Sequence, residues 1–128
     1  WDTFVSSSKN GTFLHYRDFV EYHGDRFDDY SLMFYIDGDL VALMPGHIAG
    51  KGYYTHQGLT YGGVIMSSKT TTSDVLSIFE YLTVTLRHQG IKQLVYKAIP
   101  HMFCRCGIYL LPFYCPINSG ILIPVKMA

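Results

Sequence analysis

The chain has 128 residues, of which 48% are hydrophobic and 16% aromatic, and these values fit one globular domain and exclude intrinsic disorder. Ten basic and ten acidic residues cancel, so the bulk charge indicates neither nucleic acid nor an anionic membrane as a partner. Residues 81–128 carry five cations and no carboxylate, which predicts either a basic strand edge or a site for a phosphate-bearing ligand.

The N-terminal region predicts two helices. Trp1, Phe4 and Val5 recur at helical spacing, which predicts a short helix that Asn10-Gly11 ends. A second helix is expected to begin at Thr12 or Tyr16, to carry its aromatic residues near one face, and to end at Gly24.

The next region predicts a series of strands. Two β-rich runs, 31–36 and 40–44, flank Asp37-Gly38-Asp39, which is typical of a tight hairpin. Pro45-Gly46 ends the second run, and a turn at Lys51-Gly52 is expected to precede short strands at 53–56 and 59–66.

One long helix and one strand complete the predicted fold. A polar loop at 67–73 leads into a helix capped by Thr72 or Ser73, which ends before Gly90. A strand over 91–99 follows and is closed by Pro100. The apolar stripe of the helix is predicted to contain Val75, Phe79, Leu82 and Leu86. This order of elements predicts an α/β (α+β) fold with a mixed sheet covered by helices.

The last segment, 104–128, differs from the rest. Its stretch from Gly107 to Val125 is uncharged but contains three prolines, so a membrane-spanning helix is not expected. We interpret the segment as an aberrant or poorly ordered tail, with a buried terminal strand as the alternative.

All three cysteines lie in this segment. Their odd number and their spacing favour a reducing cytoplasm and predict no metal site. The chain begins at Trp1 without a visible leader, and we interpret it as a fragment.

A polar, glycine-rich stretch at 56–63 carries the candidate chemistry. Glycine permits close backbone approach to a ligand, although a bulged strand with a tight turn would use the same residues. His56 is either a base or a structural histidine, and Lys97 at a strand end either pairs with an anion or protects an edge. The predicted substrate-binding residues are His56, Gln57, Tyr61, Gly62, Gly63, Lys97 and His101.

Four segments carry a resemblance to a known family: 10–13, 22–32, 56–63 and 97–101. In this order they resemble the N-terminal half of GNAT-superfamily acyltransferases related to the Fem-type (FemAB-like) aminoacyltransferases of bacteria. The resemblance covers 1–103 and implies a GNAT-like domain with a largely antiparallel sheet flanked by helices. It implies transfer of an acyl or aminoacyl group to an amine of a sugar or peptide precursor of the cell envelope, such as peptidoglycan.

The same resemblance implies that this half lacks the donor site. GNAT enzymes hold the pyrophosphate of acyl-CoA on a glycine-containing loop, whereas the corresponding loop here, 67–73, has no glycine. A second GNAT-like domain is then the expected partner, with acyl-CoA or aminoacyl-tRNA as its donor and no cofactor held by this half. No DNA partner and no stable membrane insertion are expected. A non-catalytic binding domain or an inactive fragment is the alternative.

Overall fold

In the computed structural model of the protein, residues 1–22 and 24–103 are described, and the predicted tail with its three cysteines lies outside them. The described part is an α+β fold of two small sheets and few helices. Its helices are α1 (Asp2–Ser7), α2 (Arg17–Glu21) and α3 (Thr72–His88), with 3-10 helices at Phe13–His15 and His101–Phe103. Its strands are β1 (Leu32–Ile36), β2 (Asp39–Met44), β3 (His47–Ala49), β4 (Gly52–Tyr54), β5 (Ile65–Met66) and β6 (Gln93–Val95).

The first predicted helix is confirmed as α1, whereas the predicted second helix is divided. Tyr16 is extended, with a ψ of 146°, and it separates the 3-10 turn from α2. The aromatic residues therefore do not share one buried face, and Phe13 is 61% exposed. Local spacing could not show this break, because it depends on contacts that His15 makes with distant residues.

The predicted hairpin is confirmed and forms most of the first sheet, whose strand order is β1-β2-β5. Ile36 pairs with Asp39, so the turn contains two residues, Asp37 and Gly38. Both have positive φ, as the favoured two-residue hairpin turns require. The register shifts between Phe34 and Tyr35, where β2 accommodates one extra residue, so β1 itself stays regular.

The second sheet has the order β3-β4-β6, in which β4 pairs antiparallel with β3 and parallel with β6. The sequence did not predict β3. Two predicted strands are shorter than expected, since 59–66 reduces to Ile65–Met66 and 91–99 to Gln93–Val95. The segments 59–64 and 96–99, which were predicted as strand, are loops at the candidate site.

Helix α3 begins one residue before the predicted range. Its N-cap is Thr71, whose hydroxyl accepts a hydrogen bond from the Asp74 N–H, while Asp74 Oδ2 accepts one from the Thr71 N–H. The predicted packing is confirmed, because Val75, Leu82 and Leu86 share one core cluster with residues of the hairpin, Phe34, Ala42 and Met44. Within the described residues, no helix is long and apolar enough to cross a bilayer.

Candidate functional site

The candidate site lies at the carboxyl ends of the two parallel strands, β4 and β6. The chain leaving β4 is joined to the chain leaving β6, because Thr55 N–H donates to Val95 O at 3.0 Å and Lys97 N–H donates to Thr55 Oγ1 at 2.7 Å. Farther along, Gly62 N–H donates to Lys97 O at 3.3 Å. Ligands of α/β proteins commonly bind at the carboxyl ends of parallel strands, where loops of two strands meet.

Lys97 is the cation of this site. Its Nζ donates to the carbonyl oxygens of Leu59 and Gln57, at 3.1 and 3.4 Å. Lys97 has no carboxylate partner in the described part of the chain, where both ion pairs belong to Arg17. Lys97 is half-buried and Gln57 is exposed, so a bound molecule can reach both of these residues.

Two buried imidazoles stand beside this lysine. His56 is 2% exposed and lies 5.7 Å from His47 between ring centroids, with the rings nearly perpendicular. The ring of Phe27 lies next to both imidazoles, with its centroid 4.4 Å from that of His47 and 5.8 Å from that of His56. His56 also has a positive φ of 62°, which a residue other than glycine adopts at some cost. Burial separates His56 from solvent, whereas its role as a base stays a prediction.

His47 connects the pair to Gln57, since its Nε2 lies 3.3 Å from Gln57 Oε1. Burial lowers the pKa of His47 below its ordinary value, and the nearby charge of Lys97 lowers it further. Its Nδ1 is buried and has no hydrogen-bond partner among the described residues. At neutral pH the ring is therefore an uncharged polar group in an aromatic environment.

The two glycines of the candidate site are packed against the protein itself. A Cβ on Gly62 would stand 2.2 Å from Thr55 O, a backbone atom. Gly63 has a φ of 70° and lies against Tyr96, Lys97 and Ile99. Both positions therefore need a residue without a side chain. At Gly62 the neighbouring backbone is the chain that leaves β4, and at Gly63 it is the chain that leaves β6.

Tyr61 belongs to a second hydrogen-bonded group on the other side of Gly62. Its hydroxyl donates to Thr12 Oγ1 at 3.1 Å, and its ring stacks on Phe103 with centroids 5.4 Å apart. His15 Nδ1 accepts from the Thr12 N–H at 2.9 Å, so the ring proton lies on Nε2, which donates to Gly62 O at 3.1 Å. His15 thus joins the N-terminal 3-10 turn to the glycine-rich loop.

Burial lowers the pKa of His15 from 6.5 to about 4. Between these pH values the unfolded chain binds a proton at His15 that the folded protein excludes, so stability present above pH 6.5 is lost as the pH falls toward 4. We expect this residue to account for a loss on the order of 2–3 kcal/mol in the free energy of unfolding between pH 7 and pH 4.5. Urea titrations at the two pH values measure it.

A His15→Gln variant provides the comparison, because glutamine retains a donor for Gly62 O but does not titrate. The stability of His15→Gln should depend much less on pH than that of the wild type. The contribution of His47 is the same in the variant and in the wild type, so it cancels in the comparison. His88→Gln, at an exposed position near the end of α3, should keep the wild-type dependence. Equal pH dependence in wild type and His15→Gln would contradict the assignment.

The structure brings most of the predicted residues together, but in two groups. Gln57 and Lys97 meet directly and His56 adjoins them, whereas Tyr61 faces Thr12. The backbone of His101 begins the last 3-10 helix, and its side chain lies outside what the structure describes. Sequence reasoning missed His47 and His15, for which no local pattern existed. No three or more metal-ligating side chains cluster in residues 1–22 and 24–103.

Comparisons with known proteins give no relationship for this chain: no family model matches it, and no match was found among the curated proteins or the solved structures.

Proposed function

We propose that this chain is the acceptor-side domain of a GNAT-like N-acyltransferase, similar to the Fem-type family. The reaction is transfer of an acyl or aminoacyl group to an amine of a sugar or peptide envelope precursor, in the bacterial cytoplasm. A second GNAT-like domain would supply acyl-CoA or aminoacyl-tRNA. The observation that carries the proposal is the meeting of the predicted site loop with Lys97 at the carboxyl ends of parallel strands β4 and β6.

This arrangement favours a ligand that carries both an amine and an anionic group. Lys97 Nζ is held in place by two carbonyl oxygens, and no carboxylate of the described residues pairs with its charge. A phosphate or carboxylate of the acceptor would supply one. The exposed amide of Gln57 would add a donor and an acceptor beside it. In direct transfer, the amine attacks the donor carbonyl and loses a proton, so a neutral base near the site assists the reaction.

Two observations favour the alternative, a non-catalytic GNAT-like binding domain. The N-terminus of α3 is capped by Thr71 and Asp74, which places a carboxylate where a donor pyrophosphate would need unoccupied backbone N–H groups. His56, the candidate base, is buried. Both proposals share the acceptor contacts, and they differ in whether a donor is used.

Binding to Lys97 can be tested by nuclear magnetic resonance titration of the full chain. The probes are a lysine-containing peptidoglycan peptide and glucosamine 6-phosphate, each of which combines an amine with an anion. We expect backbone shifts confined to 55–63 and 96–99, and a Lys97→Met variant should weaken binding about tenfold or more, because one charge-assisted contact is lost.

Lys51→Met is the matched control, since it removes an exposed lysine in the turn between β3 and β4 and should bind as the wild type does. Equal binding by the Lys97→Met and wild-type proteins, or no binding of either probe, would contradict the proposed acceptor site. Acetyl-CoA titrated in parallel should bind very weakly or not at all, and micromolar binding would instead assign a donor site to this domain.

A further inference from the structure

The first sheet has one closed edge and one open edge. At the β5 edge, Lys9 N–H donates to Met66 O at 2.9 Å, and the Asn10 side chain bonds to Val64 O and to Met66 N–H at 2.8 and 2.9 Å. The N-terminal segment thereby covers this edge. At the opposite edge, which we call the open edge, β1 pairs with β2 and with no other strand among residues 1–22 and 24–103.

The open edge is suited to pairing with another strand. In a two-residue hairpin, the two residues that flank the turn hydrogen-bond to each other through both their N–H and C=O groups. The N–H and C=O of Ile36 therefore face its partner Asp39 on β2. By alternation, the N–H and C=O groups of Met33 and Tyr35 face away from β2. Proteins commonly protect such edges with charges, prolines or bulges, but Leu32–Ile36 contains neither charge nor proline, and the bulge lies on β2.

An uncharged groove of about 230 Å³ adjoins this edge, between β1 and α3. Leu32 and Phe34 line one wall, and Tyr81 and Leu86 line the other. Tyr81 is 68% exposed although it stands beside the hydrophobic core. One further strand beside β1 would extend the sheet beneath α3 and cover this wall.

We propose that a second copy of this chain occupies the edge, with its β1 antiparallel to the first and Phe34 on the two-fold axis. This register sets Met33 opposite Tyr35 of the second copy and Tyr35 opposite Met33 of the second copy. The N–H and C=O groups of these residues, which face the open edge, then hydrogen-bond to one another. Leu32 then faces Ile36 of the second copy on the groove side. No like charges oppose each other, since the strand has none. The result is one continuous six-stranded sheet.

Charge substitutions on the exposed residues of β1 test this register. Met33 and Tyr35 are 43% and 58% exposed, so lysine is tolerated there in a monomer. In Met33→Lys/Tyr35→Lys, like charges face each other twice across the axis, and the same holds for Met33→Glu/Tyr35→Glu. We expect the wild type to be dimeric in sedimentation equilibrium and each double variant to dissociate with a constant raised about tenfold or more.

An equimolar mixture of the two double variants should recover the dimer, because each lysine then faces a glutamate. Leu76→Lys, on an exposed part of α3 outside the groove, should leave the dimer unchanged. A monomeric wild type at millimolar concentration, double variants that both dimerise as tightly as the wild type, or no recovery in the mixture would overturn the proposal.

Amide hydrogen exchange of the wild type gives a second measurement that needs no variant. The amides of Met33 and Tyr35 should become protected as the protein concentration rises. Protection of both amides at every concentration in a monomer would place another segment of the same chain on the edge and would equally overturn the proposal.

Discussion

Replacing Gly62 with alanine should lower the free energy of unfolding by about 3 kcal/mol or more, at or above the upper end of the usual cost of overpacking, because the clashing atoms belong to the backbone. The new Cβ would stand 2.2 Å from the carbonyl oxygen of Thr55 and 2.9 Å from its carbonyl carbon. Relief would require the loop to move away from the chain that leaves β4. The movement would also break the hydrogen bonds of Gly62 to Lys97 O and from His15 Nε2.

The control for Gly62→Ala is Gly50→Ala, in the turn before β4. Gly50 has a φ of 59° and open space around its Cα, so alanine there meets conformational strain without a clash and should cost about 1 kcal/mol. Gly62 has no positive φ, so its variant reports close approach alone. Urea denaturation of the two variants separates the effects, and equal losses of stability would refute the close approach at Gly62.

Replacing Asn10 with alanine should cost about 2–5 kcal/mol, because two buried backbone groups lose their partners. The Asn10 side chain is buried, and it acts as both donor and acceptor toward the residues around β5. Alanine would leave Val64 O and Met66 N–H without these bonds and out of reach of water. Thermal and urea unfolding at pH 7 measure the change.

Asn10→Asp sharpens this test, since aspartate keeps the acceptor for Met66 N–H but points a carboxylate oxygen at the carbonyl of Val64. It should be at least as unstable as Asn10→Ala at pH 7 and should recover in part as the carboxylate is protonated. Gln93→Ala, at an exposed strand position, should change stability by less than about 0.5 kcal/mol. Wild-type stability of the Asn10→Ala protein would refute the bridging role.

The local elements could be predicted because their causes are local. The Asp37-Gly38 turn, the apolar stripe of α3 and the glycine after it each follow from the conformational preference of a few neighbouring residues. Element boundaries were less accurate where side chains beyond the element decide them. The N-cap of α3 is Thr71, one residue before the earlier of the two predicted positions, because Asp74 completes a capping box with it.

The candidate site could be predicted only in part. The pattern at 56–63 correctly indicated a special backbone, and it offered two readings, close approach to a ligand or a tight structural turn. In the structure the backbone approaches its own chain at Gly62 and Gly63, so packing requires glycine at both positions, and substrate binding by these two residues stays a prediction. Substrate binding by the neighbouring Gln57 and Lys97 stays a prediction.

By itself, the sequence determined the class of fold, the hairpin, the long helix and the polarity of the site loop, since these depend on spacing and composition. Only the tertiary structure decided that the ring of His47 lies against that of His56, that His15 bonds to Gly62, and that β1 has β2 as its one neighbour among the described strands. The physical reason is that these features depend on tertiary packing. His15 and Gly62 are 47 residues apart in the chain, and the contact between them is held by burial and a hydrogen bond, which local periodicity does not encode.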